Sequence, residues 1–291
     1  MSNRTKALLA IVVVSFFWGT AGAAKPLIRV IDPYTVAFLR FFVATLIILP
    51  FFILTKAKNS PSLLPLLPLG LWSTANVALY YVGLKTSTAN AAAIIYTATP
   101  LVIAIVSQRL TQEKFTRGKI VGILLGLCGS FFIALLPFLE HGQQVSGSLS
   151  GNLLFVIAII TWVFYSIGSQ RAITRDHYSP IAITTVSLVT STVVFGIASL
   201  FVWKPYYGPI LMLPTNILLI LYLGIAVTVI TFLLFQWVIR HSSATIASLY
   251  IYLQVICAVL FNHIFLGEPI TQGFLIGSVL TITGVLIALR K

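Results

Sequence analysis

Residues 113–129 read EKFTRGKIVGILLGLCG, and residues 268–284 read EPITQGFLIGSVLTITG. Glu113, Thr116, Gly118, Gly122 and Gly129 of the first stretch meet Glu268, Thr271, Gly273, Gly277 and Gly284 of the second without a gap, at a shift of 155 residues. The same shift lays Lys85-Thr86-Ser87-Thr88-Ala89 on Arg240-His241-Ser242-Ser243-Ala244, and Ala92 on Ala247. Apolar matches mean little in so apolar a chain, but a Glu-Thr-Gly-Gly-Gly pattern with identical spacing is hard to obtain by chance. The chain reads as an internal duplication. Trp18 and Trp162 fall in the first apolar run of each half, at a slightly different offset.

Composition sets the solvent. Of 291 residues, 59% are hydrophobic and 8% charged, against roughly 45–50% and about 25% in soluble domains. So few charges cannot cover a surface in water, so the surrounding medium is lipid. A cytosolic enzyme, a disordered tail and an ordinary nucleic-acid binder are excluded. The formal charge of +13 then belongs to topology and anionic headgroups, with no nucleic-acid partner. Cys128 and Cys257 lie inside apolar runs and suggest neither a disulfide frame nor a metal site.

The apolar runs divide at charged or Pro/Gly-rich breaks into spans near 7–28, 34–54, 64–84, 89–109, 118–138, 151–170, 180–203, 214–238, 244–265 and 271–290. Each has about the 20 residues that cross some 30 Å of hydrocarbon, and lipid forces them to be helical. The predicted fold class is an all-α polytopic membrane protein of ten transmembrane helices in two inverted five-helix repeats. The first repeat covers 1–138, a linker 139–150, and the second repeat 151–291. Arg4, Lys6 and the Ala21-Gly22-Ala23 step imitate a cleaved leader. The run continues through Leu27 and Ile28, and removal would leave nine spans, so retention is expected. Thirteen Lys and Arg residues fall on the N-terminal side and five (Lys25, Arg29, Arg40, Lys85 and Lys204) on the other. This asymmetry predicts a multi-pass protein of the cell (inner) membrane with both termini cytoplasmic.

Five spans per half is an odd number, so the halves are inverted. Inverted repeats produce two related conformations, the architecture of alternating-access carriers. Phe17-Trp18-Gly19 followed by Lys25, Arg40-Phe41 in the second span, and the Gly267-Glu268-Pro269 pattern resemble the EamA family of the drug/metabolite transporter superfamily. The resemblance covers nearly the whole chain. It implies a ten-helix carrier whose central cavity is built from helices 1–4 and 6–9, with helices 5 and 10 as peripheral braces. It also implies export of amino acids or other small metabolites. The first half departs from the motif, with Gln112-Glu113-Lys114 in place of Gly-Glu-Pro.

The candidate residues each have a bland reading beside the functional one. Glu113 and Glu268 precede helix starts, where a carboxylate favours the dipole and Thr116 or Thr271 offers a cap; that reading outweighs a coupling role. Gly118, Gly122, Gly126 and Gly129, with Gly273, Gly277 and Gly284, are assigned to close helix packing. Trp18 and Lys25 lie seven residues apart, on one helical face. Lys25 and Arg40 either attract a substrate carboxylate, Arg in bidentate fashion, or snorkel to the interface. Trp72, Asn76 and Tyr80 form a spacing-four stripe on helix 3, answered by Thr231 and Phe235 on helix 8. Tyr96 and Thr99 stand beside Pro100, which cannot donate to the Tyr96 carbonyl and makes a hinge candidate. Trp162, Tyr165, Ser166 and Ser169 on helix 6, with Tyr250 and Gln254 on helix 9, complete a set suited to amphipathic or apolar-side-chain solutes. The bland alternative for all of them is interhelical packing.

No Asp or Glu falls mid-span: Asp32, Glu113, Glu140, Asp176 and Glu268 are at loops or ends. A buried carboxylate relay has no candidate, which favours facilitated transport. His141, His177, His241 and His263 are scattered, and no HExxH, GxSxG or DxD motif appears. No catalytic residue, metal or cofactor is therefore expected. The rival classes are a channel or non-transporting scaffold and, among carriers, one for phosphorylated metabolites, nucleotide sugars or lipid-linked sugars. Expected partners are a small-molecule substrate, membrane lipids and, as one allowed arrangement, a homodimer.

Overall fold

The computed structural model describes residues 3–55, 62–87, 92, 95–110, 116–141, 148–266 and 272–288. Glu113, Glu268, Thr271 and the linker residues 142–147 lie outside them. The described chain is helical. It comprises α1 (Asn3–Gly19), α2 (Lys25–Val30), α3 (Pro33–Leu54), α4 (Leu67–Thr86), α5 (Thr99–Leu110), α6 (Arg117–His141) and α7 (Leu149–Thr174). These are followed by α8 (Pro180–Val202), α9 (Tyr207–Leu211), α10 (Pro214–Gly224), α11 (Thr231–His241), α12 (Ala244–Ser248), α13 (Tyr250–Leu266) and α14 (Gln272–Ala288). Five stretches are long and apolar enough to cross a bilayer on their own: Thr5–Val30, Pro33–Leu54, Leu149–Thr174, Pro180–Val202 and Pro214–His241. Shorter apolar helices, Thr99–Leu110, Ala244–Ala258 and Leu275–Ala288, stand at three further expected spans.

Helix starts follow local chemistry. Asp32 caps α3 by accepting from Tyr34 N at 2.9 Å, with Pro33 behind it. Ser179-Pro180 does the same for α8, Ser179 Oγ accepting from Ala182 N at 3.2 Å. Each repeat thus opens its second span with a polar cap and a proline whose missing N–H needs no partner. Thr116 caps α6, its hydroxyl accepting from Lys119 N at 3.2 Å. Connections such as Ile31-Asp32 and 175–179 are too short to recross a membrane, since an extended residue reaches about 3.5 Å. Neighbouring spans there run antiparallel.

One end of the bundle carries Arg109, Arg117, Arg171, Arg175 and Arg240, and is called the basic end here. It is tied by Tyr178 Oη donating to Ser62 O (2.8 Å) and Ala244 N donating to Gln170 Oε1 (2.7 Å). At the far end Asp32 N donates to Tyr207 Oη (3.2 Å), Ser87 Oγ donates to Asn152 Oδ1 (2.7 Å), and Thr20 bonds Tyr222.

Several of the described spans depart from regular α-helix, two of them by a change of helix type. The first is interrupted between α1 and α2 by a 3-10 turn, Thr20–Ala24. The second is a π turn, Ile225–Ile230, joining α10 to α11. It lies in a β-branched run, which crowds a tight α-helix. Thr228 Oγ1 donates back five residues to Leu223 O at 2.7 Å.

α6 and α14 pack backbone to backbone. A Cβ at Gly122 would stand 2.4 Å from Ala288 N, one at Gly129 2.6 Å from Thr281 N, and one at Gly284 2.3 Å from Gly126 N. Gly126 also faces the Tyr252 ring, and the Gly277 carbonyl abuts Gly129. Gly273 sits in the first turn of α14. Gly118 is a correction: a Cβ there would meet none of the described residues within 4 Å. Gly122→Leu is expected to lower the yield of folded protein sharply, because backbone cannot move aside as a side chain can. The overpacking cost is about 1–3 kcal/mol or more. Gly118→Leu should leave yield unchanged, and equal yields by size-exclusion chromatography would contradict the assignment.

Candidate functional site

Six rings meet in the middle of the bundle. Trp18 of α1 stands 4.4 Å from Tyr250 (α13), 5.4 Å from Trp162 (α7) and 5.9 Å from Phe232 (α11), centroid to centroid. Trp162 lies 5.0 Å from Tyr165 and 5.2 Å from Phe235. All six are buried. The edge-to-face and tilted pairings are those that ring quadrupoles favour. Five of the six, all but Phe232, are expected lining residues, and they come together as rings packed on one another. Behind them is a polar layer: Gln236 Nε2 donates to Tyr165 Oη (2.8 Å) and Ser169 Oγ (3.0 Å). Trp162 Nε1 and Gln236 Oε1 have no partner among the described residues, although both are buried.

A second cluster lies toward the far end. Asn76 Nδ2 donates to Tyr96 Oη at 3.1 Å and to Ala158 O at 2.7 Å. Tyr80 packs edge-on to Tyr96 at 5.6 Å and beside Tyr81 at 6.3 Å. Tyr80 and Tyr96 are half-buried. Arg40 adjoins this group and is only 5% exposed. Its Nε donates to Thr228 Oγ1 (2.6 Å), Nη1 to Tyr81 Oη (2.9 Å) and Nη2 to Val227 O (3.0 Å). The guanidinium also lies 5.4 Å from the Phe41 ring centroid and 6.0 Å from that of Tyr81, within cation–π reach.

The π turn joins the two clusters. The Val227 carbonyl accepts from Trp18 Nε1 at 3.0 Å as well as from Arg40, and from Thr231 Oγ1 at 2.8 Å. A π turn shifts carbonyls out of the i−4 ladder. Here one of them receives a residue from each of the first two spans. Arg40 therefore does not snorkel: its charge is held inside the bundle, and no carboxylate pairs with it among the described residues. Three of its five N–H donors are engaged and two have no partner among the described residues.

Several candidates land elsewhere. Trp72 is 39% exposed and stacks on Phe164 at 5.0 Å, on the outer surface of the bundle. A strict spacing of four drifts about 40° per step around a helix of 3.6 residues per turn, so Trp72 stands about 80° round the helix from Tyr80. Ser166 Oγ donates back to Trp162 O at 2.8 Å, and Thr231 binds its own helix, so both hydroxyls are spent locally. Lys25 is half-buried at the start of α2. The 3-10 turn before it breaks the α spacing expected to put it above Trp18. Thr99 is buried, and its hydroxyl has no partner among the described residues. The helix before Pro100 is interrupted at Thr97-Ala98, with Ala98 N donating to Ile95 O at 3.2 Å, and Pro100 sits in the first turn of α5. Gln254 is half-buried, its carbonyl 3.1 Å from the position a Cβ would take at Gly19.

Sequence reading did not single out Tyr81, Phe232, Gln236, Val227 or Thr228. Gln236 is an amide within an apolar run and carried a signal, but it lies close to the expected span end. Tyr81 was hidden beside the Tyr80 stripe. A carbonyl acceptor such as Val227 O leaves no signal in sequence.

The EamA-like transporter family model matches residues 5–135 and again 149–290. The chain belongs to the EamA-like transporter family. An uncharacterized transporter of Archaeoglobus fulgidus is 24% identical over 301 residues, covering 100% of this chain and 99% of its own length. The uncharacterized transporter YdfC of Bacillus subtilis is 27% identical over 292 residues, covering 97% and 91%. A WAT1-related protein of Arabidopsis thaliana is 25% identical over 326 residues, covering 99% and 92%. A protein of known crystal structure superposes with a TM-score of 0.77 at 17% identity, over 98% of this chain and 97% of that one. That likeness speaks for the fold alone. Family, relatives and apolar helices together make this a multi-pass membrane transporter, with no catalytic function indicated.

Proposed function

We propose that this transporter is an alternating-access carrier that exports small solutes bearing a carboxylate beside an apolar or aromatic group, amino acids being the class that fits best. The carrying observation is Arg40: a cation held inside the bundle, with two N–H donors to spare, beside a cluster of six aromatic rings. A buried charge is costly unless something compensates it, and intramembrane cations face substrate paths or partners. Hydroxyls and one carbonyl supply only partial compensation, so a substrate carboxylate completes the set. The rings contribute the apolar remainder of the site. A phosphorylated or nucleotide-linked solute would call for a second cation, and Lys25 stands apart at the start of α2. With no carboxylate mid-span, transport runs down the solute gradient.

The test is counterflow in proteoliposomes. Internal unlabelled aromatic or branched amino acids should accelerate uptake of labelled ones, and their decarboxylated amines should not. Equal exchange of the amines would remove the carboxylate from the proposal, and no trans-stimulation at all would favour a channel or scaffold.

The same proposal places ten spans in inverted halves in the cell (inner) membrane, both termini cytoplasmic. In a background with Cys128 and Cys257 replaced by Ser, Ser62→Cys is expected to be sealed from an impermeant maleimide in intact cells. Ser148→Cys should be labelled there. Labelling of both from outside would sink the orientation.

A further inference from the structure

A groove of about 160 Å3 runs between α5 and α6, lined by Leu101, Ala104, Ile105 and Gln108 on one side and Ile123 and Leu124 on the other. Ala104 and Ile123 form its buried floor, while Ile105, Leu124 and the neighbouring Ile120 turn outward. Its origin is in the packing. The glycines of α6 draw that helix onto α14, and the small side chain of Ala104 does not fill the space left beside α5. From Leu101 to Gln108 the groove extends about 10 Å along the helices. It is apolar along this length and changes character at one mouth. There Gln108 and Arg109 stand in the last turn of α5 and Arg117 begins α6, all three exposed.

An apolar slot open to the side and closed off by cations at the basic end has the amphipathic profile of a lipid. We propose that this groove holds an acyl chain of an anionic phospholipid whose phosphodiester is clamped between Arg109 and Arg117. Net negative headgroup charge is what the two guanidiniums select, because a zwitterionic headgroup brings its own cation to the same place. Guanidinium is also suited to bidentate phosphate contact. The consequence concerns α5. It follows the break at Thr97-Ala98, where its span can bend. α6 is fixed to α14. A lipid bridging the two therefore ties α5 to α6 and stabilises the packing described.

The test is thermal unfolding of the purified full chain in neutral detergent. Phosphatidylglycerol, phosphatidylcholine of the same chains, and inorganic phosphate are added separately. Phosphatidylglycerol is expected to raise Tm by several degrees more than the other two. R109Q/R117Q should melt as the wild type does in detergent alone and lose that excess. A104F, which fills the slot and keeps both cations, should lose it as well. Native mass spectrometry of the wild type and R109Q alone gives a second reading that needs neither of those variants: retained phosphatidylglycerol should fall at least threefold in R109Q. Equal gains from both lipids, a full gain in R109Q/R117Q, a phosphate effect as large as the lipid's, or unchanged lipid retention in R109Q would each overturn the proposal.

Discussion

Arg40→Gln is expected to abolish measurable counterflow of carboxylate-bearing solutes while leaving a folded protein. Removing a charged donor from a carboxylate costs about 1.5–3 kcal/mol, which is roughly tenfold to more than a hundredfold in affinity. The fold should tolerate the change. Val227 O retains Trp18 and Thr231 as donors, and Thr228 retains Leu223 O. Only Tyr81 Oη loses its partner, a penalty of about 1–3 kcal/mol. Arg40→Lys preserves charge but cannot reach Thr228, Val227 and Tyr81 from one planar fork, so intermediate activity is expected. Lys25→Ala should leave transport near the wild-type level, given its half-buried place at the start of α2. Counterflow and melting temperature measured on the same preparations check the set. Wild-type counterflow in Arg40→Gln would show that the guanidinium is architectural.

Trp18 and Trp162 should part company. Trp18→Ala removes a ring that touches four others and the Nε1 donor to Val227 O. The expected loss is about 3–5 kcal/mol of stability together with transport. Trp18→Phe keeps most of the ring contact and should restore part of both. Trp162 has an Nε1 with no partner among the described residues, so Trp162→Phe breaks no bond found there and should leave the melting temperature within a few degrees. If that indole donor contacts solute, exchange should still fall about threefold to tenfold, the worth of one hydrogen bond. Unchanged kinetics in Trp162→Phe would place the solute away from this ring.

The residues that sequence located well are those whose role is set by their own helix and its solvent. Asp32-Pro33 and Ser179-Pro180 are helix starts wherever they occur, because the cap and the missing N–H act within one turn. Small residues spaced for close approach flagged α6 and α14, and the two helices do press together there. The stripe on helix 3 shows where this reasoning ends. Trp72 is as aromatic as Tyr80, but the drift of the helix turns it out to stack on Phe164. In the first span, a local 3-10 turn interrupts the α spacing on which the shared face of Trp18 and Lys25 was argued.

Sequence by itself determined the lipid solvent, the duplication and the membership of mid-span aromatics in one candidate set, since composition, spacing and charge are properties a single helix shows to its surroundings. Tertiary structure alone decided what those residues do to one another. Arg40 and Val227 are 187 residues apart. Their contact depends on a π turn that frees one carbonyl and on packing that brings two repeats within hydrogen-bond distance. A buried cation takes its meaning from the acceptors around it. Those acceptors are largely backbone and hydroxyl groups, which any membrane helix contains, so only their placement distinguishes them.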